Sequence, residues 1–464
     1  MTAVPRVDLA ISGAHHRALQ RHLYPGDGNE AVALLLCGRA MWPDRQLLLV
    51  HEVVPVPYSD CSVRTPDRVT WSPVAMTEAL AKAMNMGLAV VKVHSHPGGF
   101  EDFSATDDQS DTALFESLYG WLDTQEPLAS MIMLPSGRLF GRVVSPRGLG
   151  PAVHTVRVAA DDFSFWGNLD IASTPEHGRR VGQMFGDATY QRLRALRVGV
   201  VGCSGTGSIV VEQLARNGIG ELVLVDPESV EEKNLNRIIN STRRDAEVEA
   251  AKVDVLARAI GAMDLGTRVE SYAMDLNSAV VIRALAGCDI LMGCMDSIDG
   301  RHLLNKISSY YVIPYVDVGV RIDADGAGGV DQVTAAIHTL QPGGSSLMSR
   351  GQYDMAQLEA ALMLRANPEL YRTRLKEGYV RGVRVDQPAV ISVNMVAAAA
   401  GVNELLARLH PYRIIPNSDF AAIRISLSDP DASFREDDGA ACPAFSRMVG
   451  LGDRTPLLGV MGLQ

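Results

Sequence analysis

The sequence predicts an α/β protein in which a mixed α/β domain is followed by a Rossmann-like domain with a mainly parallel sheet. Its 464 residues are enough for more than one hydrophobic core. Up to about residue 160, short β-rich apolar runs surround one helical pattern. After about residue 190 the pattern becomes strand, glycine loop, helix and strand, which is typical of an open nucleotide-binding sheet.

The composition limits the kinds of partner. Lys and Arg together number 43, and Asp and Glu number 54, so the formal net charge is −11. A protein that binds nucleic acid or a membrane surface through charge needs a basic excess instead. With 47% apolar and 21% charged residues, the chain is not broadly disordered. The six cysteines lack paired spacing, and neither a signal peptide nor a membrane span is visible, so we expect a cytoplasmic protein.

The first domain is predicted over residues 1–160. Its helix is indicated by Met76, Leu80 and Met84 at helical spacing and by Gly87, which ends the pattern. The predicted elements are a helix over 76–87, strands over 31–38, 46–56 and 88–97, and a hairpin over 130–145.

Residues 161–178 lose hydrophobic periodicity and are predicted to form a linker. The second domain is predicted over residues 179–410. Residues 411–464 are rich in Pro, Asp and Gly, and we expect a C-terminal extension there. The elements predicted in the second domain are strands over 197–202, 221–226, 288–293 and 313–320 and a helix over 208–218.

A metal-binding pattern lies at the end of the strand over 88–97. His94 and His96 are two residues apart along the strand, so both side chains point to one side and can share a metal ion. Asp107, thirteen residues after His94, can complete a three-ligand zinc site that leaves a fourth position for water. Such a water has a pKa of about 7 and becomes a nucleophile, for which Glu52 is the candidate base. Ser104 is a candidate donor to the developing oxyanion.

This H-x-H-x7-S-x-x-D string resembles that of the JAB/MPN metalloproteases, called JAMM, over about residues 10–150. The resemblance implies that zinc is held by His94, His96 and Asp107 and that Glu52 is the general acid/base. It also implies cleavage after the C-terminal glycine of ubiquitin-like proteins. The neighbouring polar residues are expected to be solvated or to support the ligands: His51, Asp102, Asp108 and Asp111.

A glycine loop follows the first strand of the second domain and opens its helix. Gly202, Gly205 and Gly207 let backbone amides approach a phosphate, and the start of the helix favours an anion. Asp226 ends the next strand, nineteen residues after Gly207, where an acid can bind ribose hydroxyls. These features alone fit a dehydrogenase equally well.

The charges that follow favour a triphosphate over a dinucleotide. Asn234, Arg237 and Lys252 lie just past the ribose acid, and ATP needs its several negative charges neutralised. Asp296 follows another strand and is well placed for Mg²⁺, with Arg301 beyond it. The sequence therefore predicts ATP and Mg²⁺ at this site.

These residues resemble the motifs of the ThiF-type adenylyltransferases, the family of ubiquitin-activating enzymes, over about residues 178–410. The resemblance implies that Asp226 holds ribose, that Asn234, Arg237 and Lys252 hold phosphates, and that Asp296 holds Mg²⁺. It also implies a homodimer through this domain, in which an Arg enters the partner subunit's ATP site. Arg180 is the candidate, with Arg179 close behind.

Serines stand in the segment 342–351, where many relatives carry a zinc-binding C-x-x-C pair. Ser346 and Ser349 form S-x-x-S, and the second pair is broken after Cys442. Three explanations stay open: the acyl-adenylate passes directly to a partner, a serine carries the acyl group as an oxyester, with Ser346 first, or engineered Cys→Ser changes trap a state. Serine is the weaker nucleophile unless a base lies beside it.

Together the two motif sets predict a bifunctional enzyme of a bacterial ubiquitin-like conjugation pathway, and such fusions resemble operon proteins linked to phage defence. One half adenylates the C-terminal glycine of a ubiquitin-like protein, the other processes that protein, and a conjugating-enzyme-like protein is the expected partner. The alternative is maturation and adenylation of a sulfur-carrier protein before thiocarboxylate formation. A scaffold with degenerate sites is the non-enzymatic alternative, and it is disfavoured because neither constellation has lost a charged or metal-binding residue.

Overall fold

The computed structural model of the chain describes residues 6–167, 173–325, 327–377, 388–429, 434–436, 439–460 and 463. These residues form two compact units. The first contains the described residues up to 167 together with Ser309–Val312 and Arg447–Gly459, and the second contains the others. A mixed α/β unit followed by a Rossmann-like unit with a mainly parallel sheet is the fold class expected from the sequence, which is confirmed.

The first unit is built on one large sheet with three helices. Its strands are β1 (Arg6–Ser12), β2 (Val32–Met41), β3 (Arg45–Pro55), β4 (Cys61–Thr65), β5 (Arg68–Trp71), β6 (Ala89–Ser95), β7 (Leu128–Met133), β8 (Leu139–Ser145), β9 (Gly148–Ala152), β10 (Thr155–Ala159) and β11 (Phe163–Gly167). Its helices are α1 (Gly13–Leu23), α2 (Thr77–Met86) and α3 (Ala105–Leu122).

Nine of these strands form a mixed sheet in the order β11-β10-β1-β3-β2-β6-β7-β8-β9, while β4 and β5 form a separate hairpin. The central strand β6 is buried along its whole length, and α2 packs against both β2 and β6. Because both strands are covered by other elements, they are continuous apolar runs rather than alternating ones. The one charged residue inside β6, Lys92, therefore needs a buried partner.

The second unit contains the remaining strands and helices. Its strands are β12 (Arg197–Val201), β13 (Glu221–Val225), β14 (Arg268–Tyr272), β15 (Ile290–Gly293), β16 (Tyr315–Ala324), β17 (Val330–Leu340), β18 (Ala422–Ser426) and β19 (Phe434–Glu436). Its helices are α4 (Arg179–Phe185), α5 (Asp187–Ala195), α6 (Gly205–Arg216), α7 (Arg243–Glu247), α8 (Lys252–Met263), α9 (Ala279–Ala286), α10 (Ile298–Tyr311), α11 (Met355–Ala366), α12 (Pro368–Lys376), α13 (Ile391–Leu409) and α14 (Pro443–Ser446). Over the part of the chain that the structure describes, no helix is both long and apolar enough to cross a bilayer.

The sheet of the second unit has the order β14-β13-β12-β15-β16-β17-β18-β19. Its first five strands are parallel, and β17 to β19 continue it in antiparallel fashion. The chain leaves β12 toward β13 on one side and returns as β15 on the other. This switch of direction opens a crevice at the carboxyl ends of the strands, where ligands of open α/β sheets bind.

Two domain boundaries differ from those expected from the sequence. The predicted linker over 161–178 contains β11, which pairs antiparallel with β10 and so extends the first unit to residue 167. The predicted extension over 411–464 contains β18 and β19 and also the segment Arg447–Gly459, which belongs to the first unit. Contacts with residues distant in sequence hold that segment, such as the backbone bond from Gly38 N to Gly450 O at 3.0 Å, and a local periodicity does not reveal them.

Candidate functional site

The three predicted metal ligands lie together. His94 is near the end of β6, His96 follows it, and Asp107 is in the first turn of α3. The two imidazole Nε2 atoms are 3.1 Å apart. Asp107 Oδ1 lies 3.0 Å from His94 Nε2, and Asp107 Oδ2 lies 3.7 Å from His96 Nε2. Among the described residues, no other group of His, Cys, Asp or Glu side chains converges in this way.

The chemistry of this cluster fits a zinc ion. His96 Nδ1 lies 2.8 Å from the Phe100 carbonyl oxygen, which assigns the proton to Nδ1 and leaves the lone pair of Nε2 facing His94. Burial, followed by the charge of Lys92, lowers the pKa of His94 to about 4, so it is neutral at pH 7. Two nitrogen lone pairs and a carboxylate this close repel each other unless a cation lies between them, and zinc accepts this donor set.

Ser104 fixes the position of Asp107. It is the N-cap of α3, and its Oγ donates to Asp107 Oδ2 at 2.7 Å while accepting from Asp107 N at 3.2 Å. Although burial raises the pKa of Asp107, the two imidazole rings and the Ser104 hydroxyl beside it hold that pKa well below the ordinary value. Ser104 itself is exposed beside the ligands, and its role toward an oxyanion stays a prediction.

The structure contradicts the expected role of Glu52. Glu52 pairs with Leu36 of β2, and Leu36 in turn pairs with Val90 of β6. Val90 is four residues before His94, a distance of about 13 Å along the strand. The Glu52 carboxylate forms an ion pair with Lys82 of α2 instead. The sequence predicted a strand before Glu52 but did not reveal which end of the neighbouring strand it would face.

Glu30, which the sequence analysis missed, lies at the ligand end of the sheet. It lies two residues before Val32, the first residue of β2, which pairs with His94. Ala31 lies between Glu30 and Val32. Its carbonyl accepts from Ser95 N at 3.0 Å, and its N–H donates to Ser95 Oγ at 2.9 Å. These bonds fix the backbone that carries Glu30 against the end of β6.

The surroundings of Glu30 suit a general base. Its side chain is only 7% exposed, and burial, together with the charge of Asp107, raises its pKa to about 7 against the opposing charge of His96. A base with a pKa near neutrality is well matched to proton transfer at physiological pH. The sequence signal that could have identified Glu30 is an acidic residue just before the apolar strand that pairs with the His-x-His strand.

The second site is a cleft of about 490 Å³ at the carboxyl ends of β12, β13 and β15. It is the crevice that the strand order opens. Seven residues that the sequence predicted to bind nucleotide or Mg²⁺ line it: Gly202, Gly205, Asp226, Asn234, Arg237, Lys252 and Asp296. The structure therefore brings together residues that are spread over almost a hundred positions of sequence.

The glycine loop depends on close backbone contacts. Gly202 has a φ of +89°, which favours glycine. A Cβ atom on Gly207 would lie 1.8 Å from the Gly202 carbonyl oxygen, so no side chain fits there. Gly207 does not line the cleft itself but allows the loop to turn tightly into α6, whose N-terminus then faces the cleft.

Asp226 is anchored at the end of β13 by two backbone donors. Its Oδ2 accepts from Cys203 N at 2.7 Å, and its Oδ1 accepts from Glu228 N at 2.9 Å. Burial raises the pKa of Asp226, and the charge of Lys252 opposes this change. The carboxylate thereby ties the glycine loop to β13 and stands where ribose hydroxyls are expected.

The predicted phosphate-binding residues surround the loop. Lys252, at the start of α8, is almost fully buried and forms an ion pair with the exposed Glu228. Arg237 donates to the Lys233 carbonyl oxygen at 2.7 Å, and Asn234 Oδ1 accepts from Glu231 N at 3.0 Å. The arrangement places two cations and one amide side chain beside the N-terminus of α6.

Arg301 extends the cleft beyond Asp296. Its Nε lies 3.3 Å from Asp317 Oδ1, and Tyr315 donates to the same carboxylate oxygen at 2.6 Å. A Cβ atom on Gly319 would lie 2.9 Å from Arg301 Nη2, so the guanidinium lies against the backbone of β16. The cleft therefore continues from the Mg²⁺ candidate to a positioned guanidinium.

Arg180 lies outside the cleft of its own chain. It is exposed on α4, and its Nη1 donates to Gln183 Oε1 at 2.9 Å. Its entry into a partner subunit's site stays a prediction.

The structure disfavours Ser346 as acyl carrier, which is one of the three explanations left open. Ser346 is 1% exposed and is absent from the lining of the cleft. Its N–H donates to Ser349 Oγ at 2.8 Å, and Ser349 N donates to Ser346 Oγ at 3.1 Å. Cys442 N donates to the adjacent Gly344 carbonyl oxygen at 2.9 Å. The S-x-x-S turn is thus closed by its own hydrogen bonds, and the hydroxyl is not presented to an adenylate.

Two family models match the chain. The model of the ThiF family matches residues 177–423, more than half of the sequence. The model of prokaryotic homologues of the JAB domain matches residues 12–139. The two resemblances found in the motifs are therefore confirmed.

Curated relatives match the ThiF part. SAMP-activating enzyme E1 of Haloferax volcanii is 33% identical over 32% of this chain and 55% of its own. Ubiquitin-like modifier-activating enzyme 5 of Oryza sativa is 26% identical over 33% of this chain and 37% of its own. Adenylyltransferase and sulfurtransferase UBA4 of Yarrowia lipolytica is 31% identical over 30% of this chain and 36% of its own. The chain spans between about a third and a half of the length of these relatives.

Among solved structures, E. coli MccB with succinimide aligns with a TM-score of 0.45 and 19% identity, over 59% of this chain and 74% of that one. The same protein with ATP aligns with a TM-score of 0.44 and 19% identity, over 60% and 76% of the two chains.

The chain belongs to the ThiF family and carries, before its ThiF domain, a domain homologous to the prokaryotic JAB domains.

Proposed function

We propose that the ThiF domain adenylates the C-terminal glycine of a ubiquitin-like protein with ATP. The observation that carries this proposal is the grouping of Asn234, Arg237 and Lys252 around the glycine loop, because a triphosphate needs more cationic neutralisation than a dinucleotide does. The names of the relatives, which include two activating enzymes and an adenylyltransferase, support it.

In this reaction a carboxylate oxygen of the substrate's last residue bonds to the α-phosphorus of ATP, and the bond from that phosphorus to pyrophosphate breaks. The loop amides and the start of α6 bind phosphate oxygens, while Asp226 accepts from the ribose hydroxyls. The Lys252 ammonium exchanges its ion pair with Glu228 for contacts with the phosphates. Together with Arg237, it stabilises the charge that develops on pyrophosphate. Mg²⁺ held by Asp296 would supply further neutralisation. Arg301 stands where it can meet the incoming carboxylate.

Exchange of labelled pyrophosphate into ATP, driven by a ubiquitin-like protein ending in glycine, tests this proposal. Lys252→Ala and Asp296→Ala are expected to abolish exchange. Arg258→Ala is the matched control, because Arg258 pairs with Asp245 outside the cleft of the same unit. Exchange that persists in Lys252→Ala at the wild-type rate would contradict the role given to the cleft.

We propose that the adenylate then passes directly to a conjugating-enzyme-like partner rather than to a serine of this chain. The burial of Ser346 supports this route, since no covalent adduct forms on a hydroxyl that cannot reach the adenylate.

We further propose that the first unit is a zinc-dependent peptidase that trims or removes the same ubiquitin-like protein. His94, His96 and Asp107 would hold the ion. Bound there, zinc would lower the pKa of a water molecule and polarise the scissile carbonyl. Glu30, buried at the ligand end of the sheet, accepts the proton of the attacking water and returns it to the leaving amine. Ser104 remains free to donate toward the oxyanion once Asp107 binds the metal.

The peptidase proposal has a matched pair of variants. Purified protein is expected to hold about one zinc per chain, and His94→Ala to lose it. Glu30→Gln is expected to keep zinc and lose cleavage, whereas Glu52→Gln keeps both. Cleavage that depends on Glu52 and not on Glu30 would overturn the assignment.

We also propose that the ThiF domain forms a homodimer in which Arg180 enters the ATP site of the partner subunit. Its exposure on α4, away from its own cleft, supports this role. Arg180→Ala and Asp296→Ala dimers are each expected to be inactive in exchange. Mixing them restores one working site per mixed dimer, because one subunit supplies Arg180 and the other supplies Asp296. No recovery on mixing would refute action between subunits.

The second candidate function is activation of a sulfur-carrier protein. The name of the 31% identical relative, an adenylyltransferase and sulfurtransferase, favours it. The adenylate is common to both pathways, so the product with a sulfur donor distinguishes them. A thiocarboxylate on the carrier's glycine indicates the sulfur pathway, and transfer to a thiol of a conjugating protein indicates the first.

A further inference from the structure

The candidate metal centre takes its ligands from two elements. β6 supplies His94 and His96, and α3 supplies Asp107. Zinc tolerates little error in the distance between its ligands. The strand and the helix therefore need a fixed connection close to the ligands, which Ser104 does not provide because it lies on the same helix as Asp107.

One buried ion pair provides that connection. Lys92 lies two residues before His94 and so points to the same face of the sheet. Asp111 lies four residues after Asp107 and so lies on the same face of the helix. Lys92 Nζ is 2.7 Å from Asp111 Oδ1, and the two side chains are 5% and 0% exposed. The contact therefore repeats, one turn away, the approach of strand to helix that brings the ligands together.

A second cation completes the network from another strand. Arg142 of β8 places Nη2 2.7 Å from Asp111 Oδ2 and also forms an ion pair with Asp108. Its guanidinium lies 3.9 Å from the ring centroid of Phe103, the residue before the N-cap of α3. Arg142 therefore holds the start of α3 at three points.

We propose that Lys92, Asp111 and Arg142 are positioning residues that set the metal affinity of the His94–His96–Asp107 centre. This inference rests on the proposed zinc site. Residues that orient metal ligands without touching the metal change affinity by about 10- to 100-fold when replaced. Asp111, expected from the sequence only to be solvated or to support the ligands, then has a defined role. The same role explains why the apolar strand β6 contains the charged Lys92.

The test measures zinc affinity of the full chain by competition with a chromophoric chelator, and the visible spectrum after cobalt(II) substitution. Lys92→Met is expected to weaken zinc binding about 10- to 100-fold and to alter the cobalt spectrum. Asp8→Asn is the matched control, because Asp8 is a buried aspartate of the same unit, paired with Arg45 at 2.6 Å. It is expected to lower the thermal midpoint of the metal-free protein and to leave zinc affinity within about 2-fold.

Arg142→Met is the second variant, because it keeps the Lys92–Asp111 pair and so folds even if Lys92→Met does not. It is expected to weaken zinc binding by a smaller factor of about 10. A folded Lys92→Met protein, or a folded Arg142→Met protein, that binds zinc with wild-type affinity overturns the inference while leaving the zinc site intact. A wild-type protein that binds no zinc overturns the proposed peptidase instead.

Discussion

The buried carboxyl of Glu30 makes the stability of the first unit depend on pH. Glu30 is 7% exposed, and its pKa rises from the ordinary 4.5 to about 7, chiefly through burial. Between these two values the folded state binds a proton that the unfolded state has already released. Stability therefore falls as the pH rises through this range.

The size of this effect follows from the raised pKa. Each pKa unit corresponds to about 1.4 kcal/mol, so the metal-free protein loses up to about 3 kcal/mol between pH 4.5 and pH 7 through Glu30 alone. Glu30→Gln removes the charge but keeps the shape of the side chain. The variant is expected to be more stable than wild type by about 2–3 kcal/mol at pH 8 and nearly equal to it at pH 4.5.

The chain offers a direct readout, because every tryptophan lies in the first unit. Urea unfolding of the metal-free protein, followed by tryptophan fluorescence at several pH values, reports that unit alone. The four residues are Trp42, Trp71, Trp121 and Trp166.

Glu52→Gln is the control, since Glu52 is paired with Lys82 and lies away from the ligands. It is expected to show no gain in stability at pH 8. Equal stability of Glu30→Gln and wild type at both pH values would refute the burial of the Glu30 carboxyl. A gain in stability seen only in Glu52→Gln would refute it as well.

Three other changes test separate parts of the molecule. Gly450→Ala, at a φ of +71° and with a Cβ 2.3 Å from the Val50 carbonyl oxygen, is expected to destabilise the first unit by at least about 2 kcal/mol in the same fluorescence assay. Asp226→Asn removes the charge and replaces one of the two oxygens that accept from Cys203 N and Glu228 N by an NH2 group, and it is expected to raise the KM for ATP in pyrophosphate exchange by about 10- to 100-fold. Ser346→Ala is expected to leave that exchange unchanged, and intact-mass spectrometry is expected to show no oxyester on either protein.

Short-range patterns allowed the sequence to predict most of both sites. His94, His96 and Asp107 belong to a strand end and the helix that follows, and Gly202 to Gly207 belong to one loop. Where residues are this close in sequence, the geometry of a strand and of a helix start already places their side chains. The parallel order of β12, β13 and β15 then follows from the alternating pattern and brings the remaining cleft residues to one edge.

Long-range pairing explains what the sequence analysis missed. Glu30 and Glu52 each adjoin an apolar run, and only the pairing of β3 with β2 and of β2 with β6 decides which of them lies near the ligand end of β6. The burial of Ser346 depends on how its turn packs, which S-x-x-S spacing does not encode. The segment Arg447–Gly459 is held by contacts with residues distant in sequence, such as Gly38 N to Gly450 O and Tyr311 to Asp453, which no local pattern encodes.

The central claim is that one chain both trims a ubiquitin-like protein and activates the glycine that trimming exposes. Mass spectrometry of a ubiquitin-like precursor, extended beyond its glycine and incubated with the full chain, zinc, ATP and Mg²⁺, tests it most directly. We expect the precursor first to be shortened to the glycine and then to gain AMP. Glu30→Gln is expected to block both steps on the precursor yet adenylate a trimmed substrate, and Asp296→Ala to trim without adding AMP. A precursor that wild type leaves full length, or a trimmed protein that never gains AMP, would contradict the claim.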